Sequence, residues 1–448
     1  MARDFTTGKI TPMLIRFTIP LVLGNLFQMT YNAVDSIIVG RYVGKEALAA
    51  VGVCNPIMTM MLLFMNGLCI GAGILMGMQY GAKDYETLHR QISTTMIAGI
   101  IFAAIISGLG AVFSPQILRL LQIDETILKI TTEYLRIIMI GMIFPFIYNF
   151  YAAVFRALGD SRTPLLFLVM SALINIAGDL FFVIILRMGS KGCALATVFS
   201  ECLCAVACVV YVQTKVDFLR IKKGWFVFDW SILKKTISYG WVSAMQQAVP
   251  PLGKVFMQSA VNTMGVSVIA AFAAASRIDD FCYIPEQNIA HAMTSFMAQN
   301  RGAGRIDRMK AGFREGMVIE LCYGLLVLLI GFFGAEWIMG LFSADASVVR
   351  EGVKYMHIIA IAYLLPAATN GIQGFFRGIG DLKVTLISSL VNVVVRCIVI
   401  YPFLKCIYNG IEAFPITYVI GWLCMLIAEL PLLIKTYREF GRDKLRSR

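Results

Sequence analysis

With 448 residues, 58% of them hydrophobic and only 15% charged, and a mean hydropathy of +0.76, the chain is too apolar for a water-soluble fold and reads as a polytopic membrane protein without a soluble domain. The net charge of +12 does not point to nucleic acid, because the basic residues concentrate in alternate loops, as orientation in a bilayer requires. The eleven cysteines are scattered, mostly inside apolar runs (Cys54, Cys69, Cys193, Cys322, Cys424), with no CxxC and no zinc spacing, and read as small apolar helix residues.

Apolar runs long enough to span a bilayer fall at about 12–40, 47–79, 92–113, 130–155, 163–186, 192–213, 231–262, 266–299, 313–334, 350–376, 384–404 and 411–434, which predicts twelve transmembrane helices. Arg3, Lys9 and Arg16 accompany the first run and no small-residue cleavage site follows it, so the run is expected to remain as an uncleaved first span. Lys83, Arg90, Arg156, Arg162, the cluster Lys215–Lys223, Arg301–Lys310, Arg377, Lys383 and the tail from Lys435 fall on one side. The opposite loops are poorer in Lys and Arg. This bias predicts a multi-pass protein of the plasma (cytoplasmic) membrane with both termini cytoplasmic.

The longest hydrophilic interruption, 214–230, follows the sixth span and reads as a linker between an N-terminal six-helix lobe, 1–213, and a C-terminal one, 231–448. The halves repeat at an offset of 221: Gly44 matches Gly265, Tyr134 Tyr355, Pro145 Pro366, Asn149 Asn370, and Gly159-Asp160 matches Gly380-Asp381. An even number of spans per half gives both halves the same orientation, so a pseudo-twofold axis along the membrane normal is expected.

Asp35 lies within the first span, where an ionised carboxylate costs roughly 3 kcal/mol on insertion scales, and such an acid points first to proton or cation handling. On the fifth span Asn175 and Asp179, at i and i+4, share one helix face. At about 1.5 Å per residue, Asp35 lies roughly 8 Å below Gly40, Asp179 roughly 12 Å below Arg187 and Thr197 roughly 9 Å below Lys191, so the three share a depth. Two carboxylates with an amide and a hydroxyl can hold a proton between them or supply oxygen ligands to a small hard cation. The alternative is a structural hydrogen-bond cluster. Glu201, one turn beyond Thr197, extends the group as a relay or serves as a bonded core acid.

At the repeat offset Asp35 becomes Phe256, Asn175 becomes Arg396 and Asp179 becomes Ile400, so ion coupling is expected in the first half. The second half carries Lys254, Arg277, Asp279, Asp280 and Glu286, which either pair internally or take substrate-binding or gating roles. Met61 and Met65 lie on a methionine stripe of the second span, suited to an adaptable cavity or to ordinary packing. No GxxxxGK[ST], HExxH or GxSxG is present, so the sequence indicates no enzyme and no bound cofactor.

The combination of VGRYVGKEALAAVG after the first-span Asp, FRALGDSRTP at 155–164, NIAGD at 175–179, GCALAT at 192–197 and AQNRGAG at 298–304 resembles the multidrug and toxic compound extrusion (MATE) family over essentially the whole chain. The resemblance implies two six-helix lobes around a central cavity and export of cationic amphipathic compounds in exchange for protons or sodium. One subgroup places its ion site in the first lobe, at positions matching Asp35, Asn175, Asp179 and Thr197, which would also be the sodium ligands if sodium is the coupling ion. Another subgroup uses acids on the seventh span, where this chain has Gln246 and Gln247. The implied partners are small cationic substrates and the lipid bilayer, with the protein acting as a monomer. A flippase for lipid-linked oligosaccharide shares the architecture but calls for a cavity dominated by Arg and Lys. A major-facilitator transporter lacks support in YGAKDYETLHR, which has no GxxxDRxGRR pattern.

Overall fold

The computed structural model describes residues 4–216, 219–220, 227–407 and 410–446, with side chains up to residue 440. Among the described residues every extended element is helical, as a bilayer demands, because no water is present there to satisfy exposed peptide groups. In chain order the helices are α1 (Ile10–Ile38), α2 (Lys45–Gly81), α3 (Tyr85–Leu120), α4 (Glu125–Gly141), α5 (Ile143–Ala157), α6 (Arg162–Asp179) and α7 (Gly189–Lys215). They continue with α8 (Trp230–Val261), α9 (Val266–Gly302), α10 (Ile306–Phe333), α11 (Ala335–Phe342), α12 (Ala346–Ala362), α13 (Leu364–Gly378), α14 (Leu382–Cys406) and α15 (Ala413–Arg446). Short π-helical turns, Val39–Val43 and Leu180–Ile185, prolong α1 and α6.

Eight of these rods are long and apolar enough to cross a membrane singly, and α4–α5 and α12–α13 form two more as bent pairs. The remaining two crossings are α8 and α9, 32 and 37 residues long, which are less continuously apolar than those eight. The protein is therefore an all-α membrane protein with twelve spanning helices. The bends were not anticipated, and they have a common cause. Pro145 and Pro366 have no amide to return to the carbonyls of Gly141 and Ala362, the last residues of α4 and α12. The rods break there by 41° and 44°.

The 221-residue repeat is structural as well as sequential. α2 and α9 both have 37 residues, α4 and α12 both 17, and α5 and α13 both 15, each pair starting at that offset. Gly44 and Gly265, at φ 110 and 88, make the same left-handed entry to α2 and α9. Asp124 and Asp345 both cap the following helix, each accepting an amide at 2.8 Å, from Thr126 and Ser347 respectively. The repeat fails at Gly334, where α10 stops and the short α11 begins while α3 runs on unbroken.

The chain divides into two compact units. The first is Ile19–Ala244, and the second joins Asp4–Thr18 to the residues from Met245 onward. The expected linker, 214–230, lies partly outside the described residues. In the first unit small residues let α2 and α8 approach closely: a Cβ on Gly71 would sit 2.4 Å from the Gly240 nitrogen, and one on Gly67 2.3 Å from the Ala244 Cα. In the second unit the amino-terminal segment is fastened to α9 and α10. The Phe5 amide donates to Gln299 Oε1 at 2.9 Å, and Arg308 donates to the carbonyls of Phe5, Thr7 and Gly8.

Candidate functional site

In the first unit α1, α6 and α7 bring Asp35, Asp179 and Cys193 together, with one donor atom of each within 4.8 Å of the others. Cys193 donates its thiol to Asp35 Oδ1 at 2.9 Å. Asp179 is 0% exposed, and neither of its carboxylate oxygens has a hydrogen-bond donor among the described residues. A buried carboxylate in that condition needs a proton or a cation to offset its lost hydration.

Asn175 and Thr197 complete the group. Asn175, buried one turn before Asp179, turns Nδ2 towards Thr197 Oγ1 at 3.4 Å, while its Oδ1 has no donor among the described residues. The Thr197 hydroxyl donates in turn to the Cys193 carbonyl at 3.1 Å, closing one helical turn of α7. The four residues proposed from sequence thus converge, and Cys193 joins them. That cysteine was read as mere packing, although its position four residues before Thr197 places it on the same helix face. Tyr134, buried on α4, lies within electrostatic reach of Cys193, Asp35 and Asp179. Glu201 sits half-buried one turn beyond Thr197 on α7.

The π-helical turns bear on this geometry. Val39–Val43 begins four residues after Asp35, and Leu180–Ile185 begins directly after Asp179. A π turn widens the helix by one residue and is often retained at functional sites, because it re-aims the side chains beside it. No sequence signal marks either turn.

The second unit arranges its charges differently. Lys254 pairs with Asp280, and the two side chains are 58% and 47% exposed, so this is a surface pair and not a buried one. Asp279 accepts hydrogen bonds from Tyr355 Oη at 2.7 Å and from Tyr363 Oη. Tyr355 is the repeat counterpart of Tyr134, so the same tyrosine position faces acids in both units. Arg277 is exposed on α9. Met65 is buried in the core of the first unit and Met61 packs against that core. Gln246 is tied into a neutral network, donating to Gln373 Oε1 at 3.0 Å and accepting from Thr385 Oγ1 at 3.3 Å.

Three further acids, Glu286, Glu320 and Glu429, are fully buried on α9, α10 and α15. Asn370 approaches Glu286 at 3.4 Å, whereas both oxygens of Glu320 and of Glu429 are without donors among the described residues. Arg377, buried on α13, lies within electrostatic reach of Glu320 and Glu429. Sequence reading passed over Glu320 and Glu429, though an acid inside an apolar run such as MVIELCYG or LIAELPLL is itself the signal.

The MatE family model matches residues 20–181 and 243–402, the greater part of the chain and both halves of the repeat. The chain belongs to the MatE family. This MatE protein is accordingly a membrane transporter and not an enzyme. It is similar to the probable multidrug resistance protein YpnP of Bacillus subtilis (strain 168), 29% identical over 407 residues covering 90% of this chain and 89% of the relative. The probable multidrug resistance protein YoeA of the same organism is 28% identical over 383 residues, 84% of this chain and 82% of the relative. Among solved structures, the outward-facing conformation of a multidrug resistance MATE family transporter of the MOP superfamily superimposes with a TM-score of 0.88 at 22% identity. It covers 98% of each chain, and this likeness bears on the fold.

Proposed function

We propose that this MatE protein is a secondary active efflux antiporter of the plasma membrane, with cytoplasmic termini. It exports cationic amphipathic compounds by alternating access, as a monomer, in exchange for protons or sodium. The names of YpnP and YoeA support export of several chemically unrelated compounds. Asp179 carries the coupling assignment: it is a fully buried carboxylate without a donor among the described residues, beside a second carboxylate from another helix.

Asp35 and Asp179 set up a negative potential that either a coupling cation or a cationic substrate can neutralise, but not both together. Ion binding from outside therefore releases substrate, and ion release inside restores the potential for the next load. If sodium is the ion, Asn175 Oδ1 and Thr197 Oγ1 join the two carboxylates as oxygen ligands. If a proton is the ion, the two acids hold it between them. Lys254, Arg277, Asp279 and Asp280 serve substrate range or gating in this reading.

The test is export of a fluorescent organic cation from proteoliposomes under imposed pH and sodium gradients applied separately. Export driven by one gradient and abolished in both Asp35→Asn and Asp179→Asn is the expected result. Gradient-driven export at the wild-type rate in both variants would remove the first-unit acids from the coupling role.

A further inference from the structure

We propose that Cys193, Asp35 and Asp179 form a binding site for a thiophilic divalent cation of the zinc and cadmium class, with Cys193 as a thiolate ligand. Three donors from α1, α6 and α7 already lie within 4.8 Å of one another, so small side-chain adjustments place them around one ion. Asp179 is fully buried and has no hydrogen-bond donor on either oxygen among the described residues, so both oxygens are open to a cation. Asn175 Oδ1, also buried and without a donor among the described residues, lies one turn away on the same face of α6 and can supply a fourth contact.

The donor set decides the class of metal. Magnesium, calcium and sodium take oxygen ligands almost alone, whereas one sulfur with two carboxylate oxygens matches the mixed coordination of zinc and its heavier congener. Three protein donors in a tetrahedral site leave a position for Asn175 or water. Binding replaces the S–H bond of Cys193 by a sulfur–metal bond and displaces any proton held on the two carboxylates, and the displaced protons pass to water. The two carboxylates and the thiolate then carry three negative charges against two positive ones. The bound metal occupies the site assigned to the coupling ion and blocks it; this last step rests on the antiporter reading.

The experiment titrates the purified full-length protein in detergent with cadmium ion and records the ultraviolet thiolate-to-cadmium charge-transfer band. One equivalent is expected to bind in the wild type. The band is expected to be lost in Cys193→Ser and kept in Cys208→Ser, a buried thiol elsewhere on α7. In Asp179→Asn the titration midpoint is expected to move at least about tenfold. A band of undiminished size in Cys193→Ser, or an unmoved midpoint in Asp179→Asn, overturns the proposal.

Cadmium inhibition of export in proteoliposomes, scored for each variant against the same variant without metal, then separates the two readings. A Cys193-dependent band without inhibition of export leaves the metal site standing and refutes coupling at these acids. Loss of gradient-driven export in Asp35→Asn and Asp179→Asn, with no Cys193-dependent band, leaves coupling standing and refutes the metal site.

Discussion

Replacing Asp179 by Asn changes almost nothing but charge, and so isolates what the second carboxylate contributes to cation binding. A cation held between Asp35 and Asp179 lies no farther from Asp179 than about 4.8 Å, the distance within which the donor atoms of the two acids lie. With an effective dielectric constant of about 20, a unit charge at that distance contributes roughly 3.5 kcal/mol. At 1.4 kcal/mol per decade this corresponds to a roughly 300-fold loss in affinity for a monovalent cation. The amide keeps the shape of the site and removes a costly buried carboxylate, so the variant is expected to express and melt like the wild type or above it. The assay pairs ion dependence of export in proteoliposomes with a thermal melt of the purified protein. A variant that melts normally and needs a several-hundred-fold higher ion concentration agrees with the argument. A variant with unchanged ion dependence refutes it, and a variant that melts far below the wild type shows that the carboxylate was structural.

Thr197→Ala is expected to reduce export modestly if a proton couples and severely if sodium does, because only sodium needs the hydroxyl oxygen as a ligand; equal, unimpaired export under both gradients would exclude Thr197 from the site. Neutral replacement of Lys254 or Arg277 is expected to alter the range of exported compounds while leaving ion dependence intact, and a folded variant that loses all ion dependence would move coupling to the second unit. Arg377→Leu should lower the melting temperature, since it removes the buried positive charge within reach of Glu320 and Glu429, and an unchanged melting temperature would refute that role. In the short loop after α5, burial works against the charge of Asp160, but hydrogen bonds from the Thr163 hydroxyl and amide outweigh it and hold the carboxyl below its usual range. A depressed value means stability present above about pH 4 and lost as pH falls through the folded value. Asp160→Asn should therefore cost about 1 kcal/mol near neutral pH and progressively less in acid, as melts across that range would show.

The spans were legible because lipid leaves a spanning chain one economical solution, and a run of twenty apolar residues states it openly. The repeat was legible for a related reason: the same glycine, proline and aspartate positions serve the same backbone geometry twice, as at Gly44 and Gly265 or Pro145 and Pro366. The bends were missed although both prolines were noted, since hydropathy averages over a break and does not register the absence of one amide. The π turns beside Asp35 and Asp179 were missed for a stronger reason. A π turn is a single wide turn of a helix, and the residues 39–43 and 180–185 that form these two read as the ordinary ends of apolar spans.

Cys193 shows what a residue-type reading loses. A cysteine inside an apolar run is usually a small packing residue, and five of the eleven here are buried with nothing to distinguish them in sequence. What sets Cys193 apart is its partners, and these come from helices 14 and 158 residues away along the chain. Its spacing of four from Thr197 was the one local clue, and it gained meaning only once Thr197 had been placed beside Asn175. Glu320 and Glu429 illustrate the opposite failure, because the rule that singled out Asp35 applies to them without change. If Arg377 balances them, they anchor the second unit; if Arg377→Leu leaves the melt unmoved, they hold protons or cations of their own, and the second unit then carries an ionic site that the loss of the Asp35, Asn175 and Asp179 equivalents had seemed to exclude.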